Sequence, residues 1–136
     1  MNESYLLALS AERDNQRTAP YLEALSEVYS VKALAFPIID PLGEGVIETV
    51  ENATASVVFL TPNALEDELL KASINHLLHK DVPLLVIYFE DVTLPAGLQF
   101  QLSLSPVFFP NRHETLASAL ETLKNAPYLK KAFGKA

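Results

Sequence analysis

The stretch from Ser56 to Phe89 begins with the apolar run SVVFL at 56–60 and ends with the apolar run LLVIYF at 84–89. Both runs are continuous and rich in β-branched and aromatic residues, which is typical of strands that are covered on both faces of a parallel sheet. The chain between the two runs is long enough for the right-handed crossover helix that parallel strands require. The stretch therefore predicts a strand–helix–strand unit at the centre of the fold.

The helix of this unit has a well-marked start in the sequence. Thr61 or Asn63 can cap it with a side-chain oxygen, and Pro62 follows Thr61 at a position where a missing amide costs nothing. An acidic cluster comes next, at Glu66, Asp67 and Glu68. Apolar residues at helical spacing then face the sheet, at Leu70, Ile74, Leu77 and Leu78. Negative charge is stabilised at the positive end of a helix dipole, so we interpret the acidic cluster as helix-start electrostatics rather than as catalysis.

Length and composition predict one domain without covalent staples. The chain has 136 residues and no cysteine, which excludes a disulfide scaffold and a thiolate metal site. We predict a single domain over residues 1–136, with a core over about 4–125 and a basic tail at 126–136. We interpret this tail as a solvated end.

The charge balance limits the classes of partner. The 17 Asp and Glu residues outnumber the 10 Lys and Arg residues, and the net charge of −7 argues against a nucleic-acid binder that tracks phosphates. No apolar run is long enough to span a bilayer, and the N-terminus lacks a basic-then-apolar signal pattern. We therefore predict a cytoplasmic location, with no nucleic-acid partner and no membrane insertion.

The remaining chain adds strands and helices in alternation. Further apolar runs predict strands at 5–9, 31–36 and 106–109. Helices are predicted from an N-cap at Thr18, over 46–53 with Ile47 and Val50 facing inward, as a weak turn at 95–98, and from about 111–114 onward. This order indicates a flavodoxin-like open sheet of five parallel strands, in the order 2-1-3-4-5, with helices on both faces. Ligands of such sheets bind beyond the strand ends, here after Leu9, Phe36, Leu60 and Phe89.

Known site motifs match these loops poorly. The loop after the first strand has none of the three glycines of a dinucleotide-binding turn, and Gly43-Glu44-Gly45 lacks the third. His76 and His79 stand at i, i+3 on one predicted helix and could share a metal ion. No carboxylate is placed beside them by the pattern, so we interpret both as solvent-facing and predict no metal site.

Four segments resemble, in order, segments of Toll/interleukin receptor (TIR) domains of the bacterial type. LALS at 7–10, followed by Asp14, resembles the family's opening strand and loop, and residues 40–45 resemble its BB loop. VVFLTPNAL at 57–65 resembles the family's V-V-x-L-S-P-x-x-L segment. VPLLVIYF at 82–89, followed by LPAGLQ at 94–99, is similar to the family's closing segment. The resemblance covers about residues 4–125 and keeps the order of the elements.

The resemblance implies two sets of site residues. Some TIR domains associate with one another through the BB loop, which corresponds here to Asp40, Leu42, Gly43, Glu44 and Gly45. Others hydrolyse NAD with a glutamate on the third helix. The resemblance places their nucleotide cleft at Ser10, Asp14, Gly43 and Ser73. Ser73 stands at the position of the catalytic glutamate, and Glu68 is the fallback carboxylate.

The hypothesis from the sequence is a TIR-like signalling or protein-interaction domain that self-associates or binds other TIR domains. It has a degenerate nucleotide cleft, requires no cofactor and is not expected to be an enzyme. The alternative is a divergent TIR domain that hydrolyses NAD, or that binds NAD or another nucleotide. A third class is a small-molecule-binding α/β domain unrelated to TIR.

Overall fold

A five-stranded parallel sheet organises the chain. The computed structural model describes residues 4–38 and 46–134. The strands are β1 (Leu6–Ala11), β2 (Val31–Phe36), β3 (Ala55–Leu60), β4 (Leu84–Tyr88) and β5 (Val107–Phe108). Their order in the sheet is β2-β1-β3-β4-β5, and every neighbouring pair is parallel. The predicted flavodoxin-like architecture and strand order are confirmed.

Helices cover both faces of this sheet. They are α1 (Asn15–Ser26), α2 (Val46–Glu51), α3 (Pro62–Leu65), α4 (Glu68–His79), α5 (Ala96–Gln101), α6 (Leu116–Lys124) and α7 (Pro127–Ala132). Short 3₁₀ turns occupy Glu12–Asp14 and Pro110–Arg112. Among the described residues, the longest helices have 12 residues, and none is long and apolar enough to cross a membrane.

Two apolar cores lie on opposite faces of the central strands. Alternate residues of a strand point to opposite faces, so Val58 and Leu60 pack on the side of α2, α3, α4 and α5, whereas Val57 and Phe59 pack on the side of α1, α6 and α7. All four of these side chains are fully buried. This two-sided burial is the reason why the runs that define β3 and β4 are continuous rather than alternating in hydropathy.

The crossover between β3 and β4 contains two helices instead of the one predicted. Thr61 caps α3 by accepting a hydrogen bond from the Ala64 amide at 3.1 Å, and Pro62 is the first residue of that helix. Asp67 then caps α4 by accepting from the Leu70 amide at 2.8 Å. The predicted role of Thr61 is confirmed. The acidic cluster does mark a helix start, but it marks the start of α4 and not of the whole crossover.

The start of α1 differs from its prediction. The helix begins at Asn15, and Thr18 is fully buried inside it, with its hydroxyl donating to the Asn15 carbonyl at 3.3 Å. Pro20 lies in the second turn of α1, where it has no amide to donate to the carbonyl four residues earlier. The Thr-x-Pro pattern is also common at helix starts, so the local pattern alone could not show whether Thr18 lies at the start of α1 or inside it.

Residues 126–134 of the basic tail are not a solvated end. Residues 127–132 form α7, and Leu129 is fully buried against the α1 and α6 face of the sheet. The Tyr128 hydroxyl accepts a hydrogen bond from the Leu84 amide at 3.2 Å, and the ring of Phe133 lies 4.9 Å from that of Tyr29. Lys131 is exposed and Lys130 is half-buried on this anchored helix, so the core extends beyond the predicted boundary at 125.

The two cores predict that truncating a buried leucine lowers the free energy of unfolding far more than truncating an exposed leucine. Leu77→Ala on α4 should lower the free energy of unfolding by about 2–5 kcal/mol, because it removes a fully buried side chain and leaves a cavity. Leu116→Ala on α6, where the side chain is 52% exposed, should change it by less than about 0.5 kcal/mol. Chemical denaturation of both variants measures the difference, and equal costs would contradict the described packing.

Candidate functional site

A cleft lies at the carboxyl ends of β1, β2 and β3. Its volume is about 270 Å³, and its lining residues are Ala11, Arg13, Phe36, Pro37, Asn63, Glu66 and Asp67. From β1 the chain crosses to β2 on one side of β1 and then returns to β3 on the other side of β1. The carboxyl ends of β1 and β3 therefore form the topological switch point of the sheet. Open α/β sheets bind their ligands at such a point.

Asp14 joins two of the loops that border this cleft. Its side chain is 2% exposed, and its carboxylate accepts hydrogen bonds from the Thr61 hydroxyl and, at 3.0 Å, from the Asn63 side-chain amide. The guanidinium of Arg17 lies 3.8 Å from the same carboxylate. The carboxylate that the sequence assigned to a nucleotide cleft is thus bonded within the protein, between the turn after β1 and the start of α3.

Ser10 points away from the cleft. It is 3% exposed on β1 and shares a strand face with Leu6 and Ala8, which pack on the α1 side of the sheet. The cleft is instead lined by Ala11 and Phe36, which belong to the opposite core. Ser10 and Asp14 are therefore close in the chain, but Ser10 does not face the cleft.

Ser73 lies in a second, separate groove between α2 and α4. This groove has a volume of about 250 Å³ and is lined by Val46, Ile47, Val50, Leu69, Ala72, Ser73 and His76. Ser73 is 6% exposed, and its hydroxyl donates to the Leu69 carbonyl at 2.9 Å, which leaves an almost entirely apolar lining. Glu68 is exposed at the start of α4 and pairs with Lys71 at 3.0 Å. Ser73 therefore does not line the cleft that Asp14 borders, and Gly43 lies outside the described residues.

The loop residues that the sequence assigned to protein interaction lie outside the described residues. These are Asp40, Leu42, Gly43, Glu44 and Gly45. They immediately precede α2 in the chain. On α2 itself, Val50 is buried as predicted, but Ile47 is 62% exposed and not inward. Val50 belongs to the core cluster that includes α4, whereas Ile47 lines the surface groove between α2 and α4.

Charged side chains connect α2 to the end of α4 at one rim of the groove. The Lys80 ammonium donates to the Glu51 carboxylate at 3.2 Å, and this hydrogen bond, together with the charge of Lys80, lowers the pKa of Glu51. His76 Nε2 lies 3.3 Å from Glu51 without the geometry of a hydrogen bond, and His79 is exposed. Within residues 4–38 and 46–134, no three potential metal ligands come together.

Two features of these surfaces escaped the sequence analysis. The Asp14–Thr61–Asn63 contact could have been anticipated, because polar residues that follow two neighbouring parallel strands meet at one edge of the sheet. The groove between α2 and α4 had no comparable sequence pattern. It exists because two helices far apart in the chain pack side by side.

Comparison with known proteins identifies the fold. No protein-family model and no curated protein matches the chain. Among solved structures, a crystal structure of the RPS4 and RRS1 TIR domain heterodimer is 20% identical with a TM-score of 0.69, covering 93% of this chain and 97% of that one. A flavodoxin-like domain from Synechococcus sp. is 15% identical with a TM-score of 0.64, covering 96% and 99%. A diflavin flavoprotein A3 from Nostoc sp. is 10% identical with a TM-score of 0.63, and both chains are covered completely.

These similarities define the class of the chain by its fold. It has the architecture shared by TIR domains and flavodoxin-like domains, and the resemblance to TIR domains in the sequence agrees with the first of these neighbours. At identities of 20% and below, the similarity establishes the fold alone.

The contact of Asp14 with Thr61 gives a prediction with a matched control. Thr61→Val removes the cap of α3 and also a donor to the buried carboxylate, whereas Thr115→Val removes only the cap of α6, which accepts from the Ser118 amide at 3.0 Å. Loss of a cap costs about 1 kcal/mol, and a buried acceptor that loses its donor costs about 1–3 kcal/mol more. Equilibrium unfolding should therefore show Thr61→Val as the more destabilised variant. Equal losses would mean that the Asp14 contact adds nothing.

Proposed function

We propose that the chain is a TIR-like protein-interaction domain that associates with copies of itself or with other TIR domains. The observation that carries this proposal is the apolar groove between α2 and α4, where Ile47 is 62% exposed beside Val46, Val50 and Leu69. Protein interfaces have apolar centres surrounded by polar rims. Here the rim is supplied by Glu51, His76 and Lys80.

The position of the groove in the chain supports the same proposal. It begins with Val46, the residue that directly follows the loop at 40–45, which the sequence assigned to protein contacts. Leu42 gives that loop an apolar side chain between Asp40 and Glu44. Loop and groove would thus contribute to one contact surface. The neighbouring structure is described as a heterodimer of two TIR domains, which is consistent with a second TIR domain as the partner.

Nucleotide chemistry is the second candidate, and the cleft at the switch point is the observation in its favour. Arg13 is the basic residue of its lining, but Arg13 lies 3.9 Å from the Glu66 carboxylate, and Asp67 also lines the cleft. An anionic ligand would therefore meet two carboxylates there. The buried carboxylate of Asp14 in the turn after β1 likewise opposes a phosphate at that turn.

Association through the groove and its adjoining loop predicts specific losses. Leu42→Asp and Ile47→Asp should each weaken self-association or binding of a TIR partner by about tenfold or more, because each places a charge in an apolar contact. Leu116→Asp is the control, since Leu116 is similarly exposed but lies on α6, on the other face of the sheet. Light scattering over a concentration series measures the change. If both variants associate as the parent does, loop and groove are not the contact surface.

The second candidate, nucleotide chemistry, predicts hydrolysis of NAD. We expect this activity to be absent. NAD hydrolysis requires stabilisation of the positive charge that develops on the ribose, and replacing such a group typically costs about 100- to 1,000-fold in rate. Ser73 supplies only a hydroxyl, which is bonded to a backbone carbonyl. Incubation with NAD should therefore release no nicotinamide above the protein-free blank, as measured by chromatography. Glu68→Ala and Glu66→Ala serve as controls, and turnover that either variant abolishes would reassign the chain to the NAD-hydrolysing class.

A further inference from the structure

A third pocket lies at the carboxyl end of β4. It has a volume of about 390 Å³ and is lined by Tyr88, residues 92–94, Gln99, Leu102 and Ser103. These residues come from the last position of β4, the loop that follows the strand, α5 and the turn after α5. We refer to this space as the β4–α5 pocket. It shares no lining residue with the cleft at the switch point or with the groove between α2 and α4.

The size and the position of the β4–α5 pocket suit a small molecule. Ligand pockets of proteins typically have volumes of about 300–1,000 Å³. The volume of about 390 Å³ lies in this range, whereas the cleft at about 270 Å³ and the groove at about 250 Å³ lie below it. The pocket also lies beyond the carboxyl end of a strand, which is the edge at which open α/β sheets bind their ligands.

The lining of the pocket carries no charge. Positions 92–111 contain no Asp, Glu, Lys or Arg. Burial raises the pKa of Tyr88, so its hydroxyl stays protonated and neutral. Among the described residues, the lining therefore offers no cation to an anionic ligand and no carboxylate, imidazole or thiolate to a metal ion. The net charge of −7 further disfavours an anion. A ligand of this pocket is thus expected to be uncharged.

The polar side chains of the lining are available to a ligand. Within residues 4–38 and 46–134, the side chains of Tyr88, Thr93 and Gln99 have no hydrogen-bond partner. The Ser103 hydroxyl donates to the Phe100 carbonyl at 2.8 Å and keeps its lone pairs for accepting. Hydroxyl and amide groups both donate and accept hydrogen bonds. The pocket therefore presents neutral donors and acceptors from three elements of the fold.

These polar groups stand on a fixed support. The Tyr88 ring stacks on the Phe109 ring, with centroids 5.5 Å apart, and the Arg112 guanidinium lies 3.9 Å from the centroid of Phe109. Leu102 is buried in the core on this face of the sheet, and Leu94 is half-buried against the same core. The pocket thus combines an apolar floor with polar groups, and a wall that is held in place lowers the entropic cost of binding.

We propose that the β4–α5 pocket binds an uncharged, polyhydroxylated ring of the size of a monosaccharide. The hydroxyls of such a ring both donate and accept, as the polar groups of the lining do, and its C–H groups pack on Leu94 and Leu102. A flat aromatic ligand fits less well, because Phe109 already covers one face of Tyr88, the aromatic residue of the lining. The inference does not depend on the proposed association, which uses other residues.

Titration of the ¹⁵N-labelled protein, followed by NMR, tests this proposal with glucose, galactose, mannose, ribose and myo-inositol as probes. At least one probe should bind with a dissociation constant on the order of 1–10 mM, because a pocket open to solvent gains little from a few hydrogen bonds. The largest shifts should occur at the amides of Thr93, Gln99 and Ser103. Absence of shifts with all five probes, at about ten times this concentration, would overturn the proposal.

Two variants and a matched control test the polar groups. Gln99→Leu and Thr93→Val nearly conserve volume but remove hydrogen-bonding groups, so each should raise the dissociation constant by about two- to tenfold. Gln16→Leu on α1 should leave it unchanged, since Gln16 lies outside the pocket. All three side chains are exposed, so the variants should fold, and circular dichroism checks that they do. Unchanged or tighter binding by Gln99→Leu and Thr93→Val would overturn recognition through polar groups.

Two further probes test the class of ligand. Glucuronate adds a carboxylate to the ring of glucose and should bind at least about threefold more weakly, because the lining has no cation. Glucuronate that binds as tightly as glucose, or more tightly, would overturn a site for neutral ligands. Adenosine that binds more tightly than every polyol would overturn the polyol in favour of an aromatic ligand.

The same titrations separate this inference from the proposed function. Ile47→Asp in the groove should weaken association and leave polyol binding unchanged, because Ile47 does not line the β4–α5 pocket. Loss of polyol binding in that variant would overturn the assignment to a separate pocket. Failure of every polyol to bind the parent protein overturns the pocket, while the groove is still judged by the association of Ile47→Asp.

Discussion

The buried carboxylate of Asp14 is the polar group on which the carboxyl edge of the sheet depends. A buried carboxylate costs several kcal/mol unless it is paired and hydrogen-bonded. Thr61 and Asn63 supply those hydrogen bonds, and Thr61 simultaneously caps α3. The end of β1 and the start of α3 are thus held together by one group. The switch point, which in other open α/β sheets receives a ligand, is here partly filled by contacts of the protein with itself.

The fold was predictable from the sequence wherever burial on both faces dictates the residue type. Val57, Val58, Phe59 and Leu60 are all fully buried, so nothing polar was available to suggest another structure, and the order of such runs indicated a parallel sheet. The start of α1 and the basic tail were not predictable in the same way. Thr18 is fully buried inside α1, and Leu129 is buried by residues far away in the chain. Local capping patterns and local charge carry no information about such burial.

The candidate site was only partly predictable, for reasons of geometry. The resemblance to TIR domains assigned Ser10, Asp14, Gly43 and Ser73 to one nucleotide cleft. The period of a strand already places Ser10 on the face of Leu6 and Ala8, away from the cleft. The position of Ser73 depends on the break between α3 and α4. The prediction had one continuous helix there and so lacked this break. The α2–α4 groove is formed by packing between two helices, and no residue spacing in the sequence predicts that packing.

The distribution of charge separates the surfaces of this molecule by what they can recognise. Among the described residues, the lining of the cleft at the switch point places Glu66 and Asp67 beside Arg13, so this lining disfavours an anion. The groove between α2 and α4, by contrast, has an almost entirely apolar lining. Exposed apolar area costs free energy in water unless a partner covers it. On a protein with a net charge of −7, the apolar groove therefore differs in surface chemistry from the charged cleft at the switch point.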